Sequence, residues 1–330
     1  MKTPLCDEQL RFQPASIEDE SLNSWYIANC VLNALLSITA VIFNSVTIQA
    51  LRRPSSLSNT LKTLLLSAAV SDLGVGLLVH PLHVLLLVKW LQLNSVGGPT
   101  CSTYAAFIVS GILFSSASFF GVMALSADRF LAIHLHLRYS ELVTHRRVVF
   151  AVVSSWVICV VLSIIRFCVT SITAIGIITV VGIACLVASA VFYCKIYLAV
   201  RRHKKQIQTL QVQRQENAEI VANLASGKKS AVGTFYVFLV FLMCYLPMFC
   251  IFAARPISSG SKGTFGIVFS FTWTLVLLNS TLNPVIYFWK MRQIRRAIMN
   301  ILRNTFPIRR RSIPFYPNAQ TTVTSAAFHL

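Results

Sequence analysis

Residues 104–129 read YAAFIVSGILFSSASFFGVMALSADR, with no ionisable acid or base until Asp128 and Arg129 stand side by side at the end. About 20 consecutive apolar residues cross the hydrocarbon core of a bilayer as a helix. The charge-free run is longer still, from Trp90 to Ala127. A stretch of this length and composition predicts a membrane span that meets water at its Asp-Arg end.

Comparable runs occupy Tyr26–Leu51, Val148–Ile165, Phe167–Cys194, Ser230–Ala254 and Gly263–Trp289, and Thr63–Val79 is broken only by Asp72. The chain of 330 residues is 55% hydrophobic and 12% charged, against about 25% charged for soluble domains. The region Val148–Cys194 contains one charge, Arg166. On pattern alone it holds two helices with a minimal turn, or one helix and a re-entrant segment. Charge distribution fixes the parity. Acids Asp7, Glu8, Glu18, Asp19 and Glu20 precede the first span, whereas most Lys and Arg residues lie in alternate segments, and Lys290 begins the last of these. Cytoplasmic flanks are Lys/Arg-rich, so the N-terminus is expected outside and the C-terminus inside, and the number of spans is odd. Seven spans fit: 26–49, 61–88, 104–133, 148–167, 174–200, 230–254 and 264–288.

The expected architecture is an all-α membrane protein, a seven-transmembrane helix bundle with an amphipathic eighth helix. Residues 1–25 form an extracellular tail, 26–288 the seven-transmembrane domain, 289–303 the amphipathic membrane-surface helix and 304–330 a cytoplasmic tail. The eighth helix is expected because Met291, Ile294, Ile298 and Ile301 share one face while Arg292, Arg295, Arg296 and Arg303 take the other. The Gln-rich, proline-free stretch 201–229 predicts helical extensions beyond the fifth and sixth spans. The net charge of +19 follows from residues flanking spans, so nucleic acid is not an expected partner. The nine cysteines show no C-x-x-C spacing and no metal-binding pattern. Cys6, Cys101 and Cys168 fall at the outer side, where disulfides are chemically possible. No enzymatic activity is expected, because nucleophiles and histidines are scattered.

Polar groups inside spans are costly and usually face the bundle interior. Asp72 is the one carboxylate well inside a span. Asn279, Asn283 and Tyr287 are four apart on one face of the seventh span, beside Pro284. Gly111, Ser115, Ser118, Val122 and Leu125 form a small, partly polar stripe on the third. Together they predict a shared pocket of Asp72, Ser118, Asn279, Ser280 and Asn283. Pro247 predicts a kink in the sixth span, since it has no N–H to donate.

Across residues 26–303 the chain resembles the rhodopsin-like class of G-protein-coupled receptors. The matching residues appear in order: Asn44, Asp72 in SDL, Asp128-Arg129-Phe130, Trp156, Tyr197, CYLP with Tyr245 and Pro247, and NPVIY from Asn283 to Tyr287. The resemblance implies that Asp128 restrains Arg129 in the inactive state. It also implies that Tyr197 and Tyr287 approach Arg129 on activation, and that Asp72, Ser118, Asn279 and Ser280 form a pocket for an allosteric sodium ion. No other cofactor is implied. Heterotrimeric G protein is the implied partner, at the plasma membrane, with arrestin and receptor kinases reaching the tail and membrane lipids around the bundle. A transporter or channel is the alternative class.

Departures from the family pattern sharpen the expectations. Gly227 stands where many relatives carry an acid facing the arginine, so the sequence offers Arg129 no second clamp and predicts easy activation. Tyr245 replaces a tryptophan, Ser189 a proline, and Phe130 a tyrosine. Cys101 lies three residues early for the usual outer disulfide, leaving Cys168 as candidate partner. The very short second outer loop and Ser189 give a skeleton similar to melanocortin-like receptors, whose acidic ligand cluster is missing. Gly111 occupies the position of the aspartate of amine receptors, and Leu277 that of the retinal-binding lysine, so amines and retinal are disfavoured. His83, Gly111, Ser115, Arg166, Arg255 and Trp273 are candidate ligand-pocket residues, and the outer basic groups raise the expectation of an anionic ligand.

Overall fold

The structure, a computed structural model, describes residues 20–54, 57–92, 100–135, 138–169, 171–210, 218–254 and 262–305. Eight helices carry the architecture: α1 (Glu20–Arg52), α2 (Asn59–Leu91), α3 (Cys101–His134), α4 (His145–Cys168), α5 (Ser171–Leu210), α6 (Ala218–Ala254), α7 (Lys262–Lys290) and α8 (Arg292–Thr305). A single helical turn, Tyr139–Leu142, lies between α3 and α4. Seven of these helices are long and apolar enough to cross a membrane. The ambiguous Val148–Cys194 region resolves into two helices, with only two residues between α4 and α5. Helices α5 and α6 run on past their spans, to Leu210 and from Ala218. Among the described residues there is no strand.

Serine and threonine supply the helix starts. Ser58, Thr100 and Thr144 each accept a backbone N–H of the first turn of α2, α3 and α4, satisfying one of the donors that a helix leaves free. Apolar and polar surfaces are distributed as lipid requires. Ile27, Val31, Leu35, Ile38 and Ile42 point outward from α1, and Val153, Val157 and Ile164 from α4. The polar side chains Asn29, Asn33, Asn44, Asp72, His80, His83, Ser118, Asn279 and Asn283 are buried. Their alternative in hydrocarbon would be an unsatisfied group.

Two interior devices position the site. Residues Val75–Val79 of α2 form a π turn, and Ser37 Oγ of α1 donates to the Gly76 carbonyl at 2.8 Å. A wide turn frees a carbonyl from the helical ladder, and α1 supplies its donor. Beyond that turn, a polar seam binds α1, α2 and α7. Asn33 Nδ2 donates to Thr274 Oγ1 at 2.9 Å, Asn29 Nδ2 to Ser270 Oγ at 2.7 Å, and His80 Nδ1 meets Asn33 Oδ1 at 2.9 Å.

Helix α8 follows α7 after one residue and buries Ile294, Ile298 and Ile301 while leaving Arg292, Arg295, Arg296 and Arg303 exposed.

Candidate functional site

Three linked constellations lie along the axis of the bundle. At one end, Asp128 is buried on α3 and its Oδ2 is ion-paired to the Arg129 guanidinium, with Arg129 Nε at 2.9 Å. The other carboxylate oxygen accepts from the hydroxyl of Tyr139 at 2.5 Å. Burial, then the hydrogen bond to Asp128 and its negative charge, push the Tyr139 hydroxyl up to about 12. It therefore stays protonated and donating at any physiological pH. The loop after α3 thus supplies Tyr139 as a further hydrogen-bond partner of the acid, a contact the sequence reading did not anticipate. Neighbouring Phe130 stacks on Phe192 of α5 at 5.2 Å and on His134 at 5.3 Å, with Lys195 Nζ 5.9 Å from its ring. An apolar ring at this position docks α3 onto α5.

One level deeper, Asp72, Ser118, Asn279, Ser280 and Asn283 are buried together between α2, α3 and α7. Asn283 Nδ2 donates to Asp72 Oδ2 at 2.9 Å, and Asn279 Nδ2 to Ser118 Oγ at 3.3 Å. From α1, Asn44 Nδ2 donates to the Ser280 carbonyl at 3.0 Å. Four buried oxygens in this core, Asp72 Oδ1, Asn44 Oδ1, Asn279 Oδ1 and Asn283 Oδ1, receive no hydrogen bond. These acceptors are all hard oxygens. Such a set fits a hard cation such as sodium, which prefers oxygen ligands. The Tyr287 hydroxyl is buried beneath this core with no partner.

Toward the opposite end, a cavity of about 150 Å³ lies among α3, α4, α5, α6 and α7. Its walls are mostly apolar, including Ile108, Ile112, Phe119, Ile178, Met248 and Phe249. Polar groups enter from Ser115, Ser116, Arg166, Tyr245 and Trp273. Its floor is aromatic: Tyr245 stacks on Phe241 at 4.2 Å and meets Phe119 at 5.7 Å. The Tyr245 hydroxyl donates to the Ser115 carbonyl at 3.0 Å, tying α6 to α3 two residues before Pro247. Gly111 lets α7 approach α3, because a Cβ there would sit 3.1 Å from the Trp273 ring.

A family model described as "7 transmembrane receptor (rhodopsin family)" matches residues 43–176 and 169–287. The chain belongs to the rhodopsin family of seven-transmembrane receptors. That is a receptor family and not an enzyme family. The receptor is 29% identical to adenosine receptor A2b of Gallus gallus, over 38% of this chain and 35% of that protein. It is 23% identical to the alpha-1A adrenergic receptor of Oryzias latipes, over 72% of this chain and 58% of that one. With adenosine receptor A2a of Canis lupus familiaris the identity is 22%, over 89% and 76% of the two chains. The receptor therefore spans about a third to three-fifths of the first curated relatives it matches.

Within the receptor, Gly111, Ser115, Arg166 and Trp273 do line one cavity. His83 does not: it is buried beside it, stacked 4.9 Å from Phe107, which in turn meets Trp273 at 5.1 Å. Arg255 lies outside the described residues, as do the side chains of Tyr197 and Cys168 and the tail beyond Thr305. Cys101 is disulfide-bonded, while its expected pairing with Cys168 falls on a side chain outside the described set. Residues not anticipated from sequence are Tyr139 and the apolar cavity walls, above all Phe119, Met248 and Phe249. An oily wall residue carries the same letter code as a lipid-facing one. Tyr139 had a signal, a lone tyrosine in the basic loop after Arg129, but only the fold of that loop aims it at Asp128.

Proposed function

We propose that this protein is a G-protein-coupled receptor that binds an extracellular, non-aminergic ligand in the cavity and activates heterotrimeric G proteins at the end carrying Arg129. The observation that carries this reading is the lock of Asp128, Arg129 and Tyr139, joined through the bundle to an oxygen-lined core and then to the cavity. A ligand that favours one arrangement of the aromatic floor shifts a two-state equilibrium by its differential affinity. The floor reaches the lock's own helix, because Tyr245 and Phe241 of α6 pack on Phe119 of α3, the helix that carries Asp128 and Arg129 at its end. The positive-inside pattern supports placing Arg129 in the cytoplasm and the cavity mouth outside, at the plasma membrane.

Asp72, Ser118, Asn279 and Ser280 would hold a sodium ion, whose charge would be balanced by the carboxylate and would favour the inactive packing. Occupancy would satisfy oxygens that protein donors leave free. The exposed arginine face of α8 supports contact with anionic membrane lipids, and arrestin and receptor kinases would use the tail.

The test is expression in cells carrying reporters for each class of heterotrimeric G protein, with Asp128→Asn and Tyr139→Phe as unlocking variants. Reporter activation by the unlocked variants supports the reading. Silence in every class, with the protein at the cell surface, returns the transporter or channel reading.

A further inference from the structure

Among the described residues that line the cavity, Arg166 alone carries a charge, and it is buried, with 3% exposure. It lies in the last turn of α4, two residues before Cys168 ends that helix. The other polar groups on the described lining, hydroxyls and an indole N–H, can each donate a hydrogen bond. The Ser115 hydroxyl and the Trp273 indole N–H are both buried and have no hydrogen-bond partner. Among the described lining residues there is no carboxylate to neutralise a cationic ligand.

The cavity also has a wall that faces the membrane. Helices α4 and α5 are joined by two residues, yet each packs on α3 far more than on the other. The sparsely packed seam between α4 and α5 is the candidate slot. Ile177 and Val181 of α5 line the cavity while remaining 52% and 47% exposed. An apolar molecule in the bilayer meets these side chains without first crossing water.

We propose that the cavity takes a single-chain anionic amphiphile, its carboxylate or phosphate at Arg166 and its chain along α3, α5 and α6, entering between α4 and α5. This names the ligand class for the receptor reading above and rests on that reading for its signalling consequence. The vertical order matches the bilayer. Arg166 closes the candidate membrane span of α4, His145–Arg166, where a charge is tolerated, and the apolar, aromatic wall belongs to residues inside the spans of α3, α5 and α6. A guanidinium recognises carboxylate and phosphate by paired N–H donors, so both headgroups are covered and the probes separate them. Arg166 could instead serve only the end of α4, whose dipole favours a cation; the neutral probe decides between these roles.

The experiment uses the full chain in neutral phosphatidylcholine nanodiscs, with oleate, oleoyl-lysophosphatidate, methyl oleate and oleylamine as probes and thermal unfolding as readout. At least one anionic probe is expected to raise the midpoint saturably, while the ester and the amine leave it unchanged. Arg166→Gln is expected to weaken the half-saturating concentration about tenfold or more, the scale of a lost charged hydrogen bond, and Arg166→Lys to retain most of it. Val181→Trp, which fills the slot, is expected to remove the shift. Equal shifts from oleate and its ester, an unchanged response in folded Arg166→Gln, or no shift from either anion would overturn the proposal. If Arg166→Gln does not fold, the ester comparison and Val181→Trp decide. Probe-free nucleotide exchange on G proteins is measured in parallel, so a wrong ligand class and a wrong receptor reading give different outcomes.

Discussion

Asp128 uses both of its carboxylate oxygens, one toward Arg129 and one toward the Tyr139 hydroxyl. A hydrogen bond to a charged group contributes about 1.5–3 kcal/mol, so Tyr139→Phe should release part of the restraint on Asp128. Basal nucleotide exchange should rise several-fold, with the protein's thermal midpoint lowered by a few degrees. Unaltered basal exchange would show that the hydroxyl does not hold the lock. The pH dependence follows in sign. A hydroxyl raised from 10.0 to about 12 keeps its contribution in full below its ordinary value and loses it only as pH climbs through about 12. Basal exchange should therefore show no step from Tyr139 between about pH 6 and 9, and an ionisation step in that window absent from Tyr139→Phe would contradict the assignment. Asp128, Arg129 and the oxygen-lined core were legible from order and four-residue spacing, because helical periodicity converts sequence distance into a shared face. Tyr139 was not, since a loop obeys no such period.

Among the elements, α2 shows how a local irregularity is compensated. The π turn at Val75–Val79 exposes the Gly76 carbonyl, and Ser37 of α1 donates to it at 2.8 Å. Replacing Ser37 by Ala leaves that oxygen in an apolar interface. Interhelical hydrogen bonds in membranes contribute about 0.6 kcal/mol on average and up to about 1.7, so Ser37→Ala should lower the thermal midpoint modestly. An unchanged midpoint would mean that another donor takes over. Spans could be read because lipid demands long apolar runs, whereas the π turn could not: VGLLV has nothing in its composition that marks a widened ladder. The same limit hid the cavity. Along α5, Ile177, Ile178 and Val181 look alike in sequence, yet Ile178 is partly buried against the core while the other two also face lipid.

For the whole molecule, the proposed function requires coupling between cavity and lock across the buried polar and aromatic contacts between them, with sodium as its proposed modulator. Replacing sodium with an impermeant organic cation should raise basal exchange, and Asp72→Asn should abolish that dependence. Sodium sensitivity that survives Asp72→Asn would remove the ion from this site. The central claim is that the bundle is a switch acting on G proteins through Arg129. Its most direct test is nucleotide exchange by purified heterotrimeric G proteins of each class, with the protein reconstituted in nanodiscs as wild type, Tyr139→Phe and Arg129→Ala. The account predicts accelerated exchange on at least one class, greater for Tyr139→Phe and lost in Arg129→Ala. Exchange no faster than in empty nanodiscs for every class, with Tyr139→Phe folded, would contradict it.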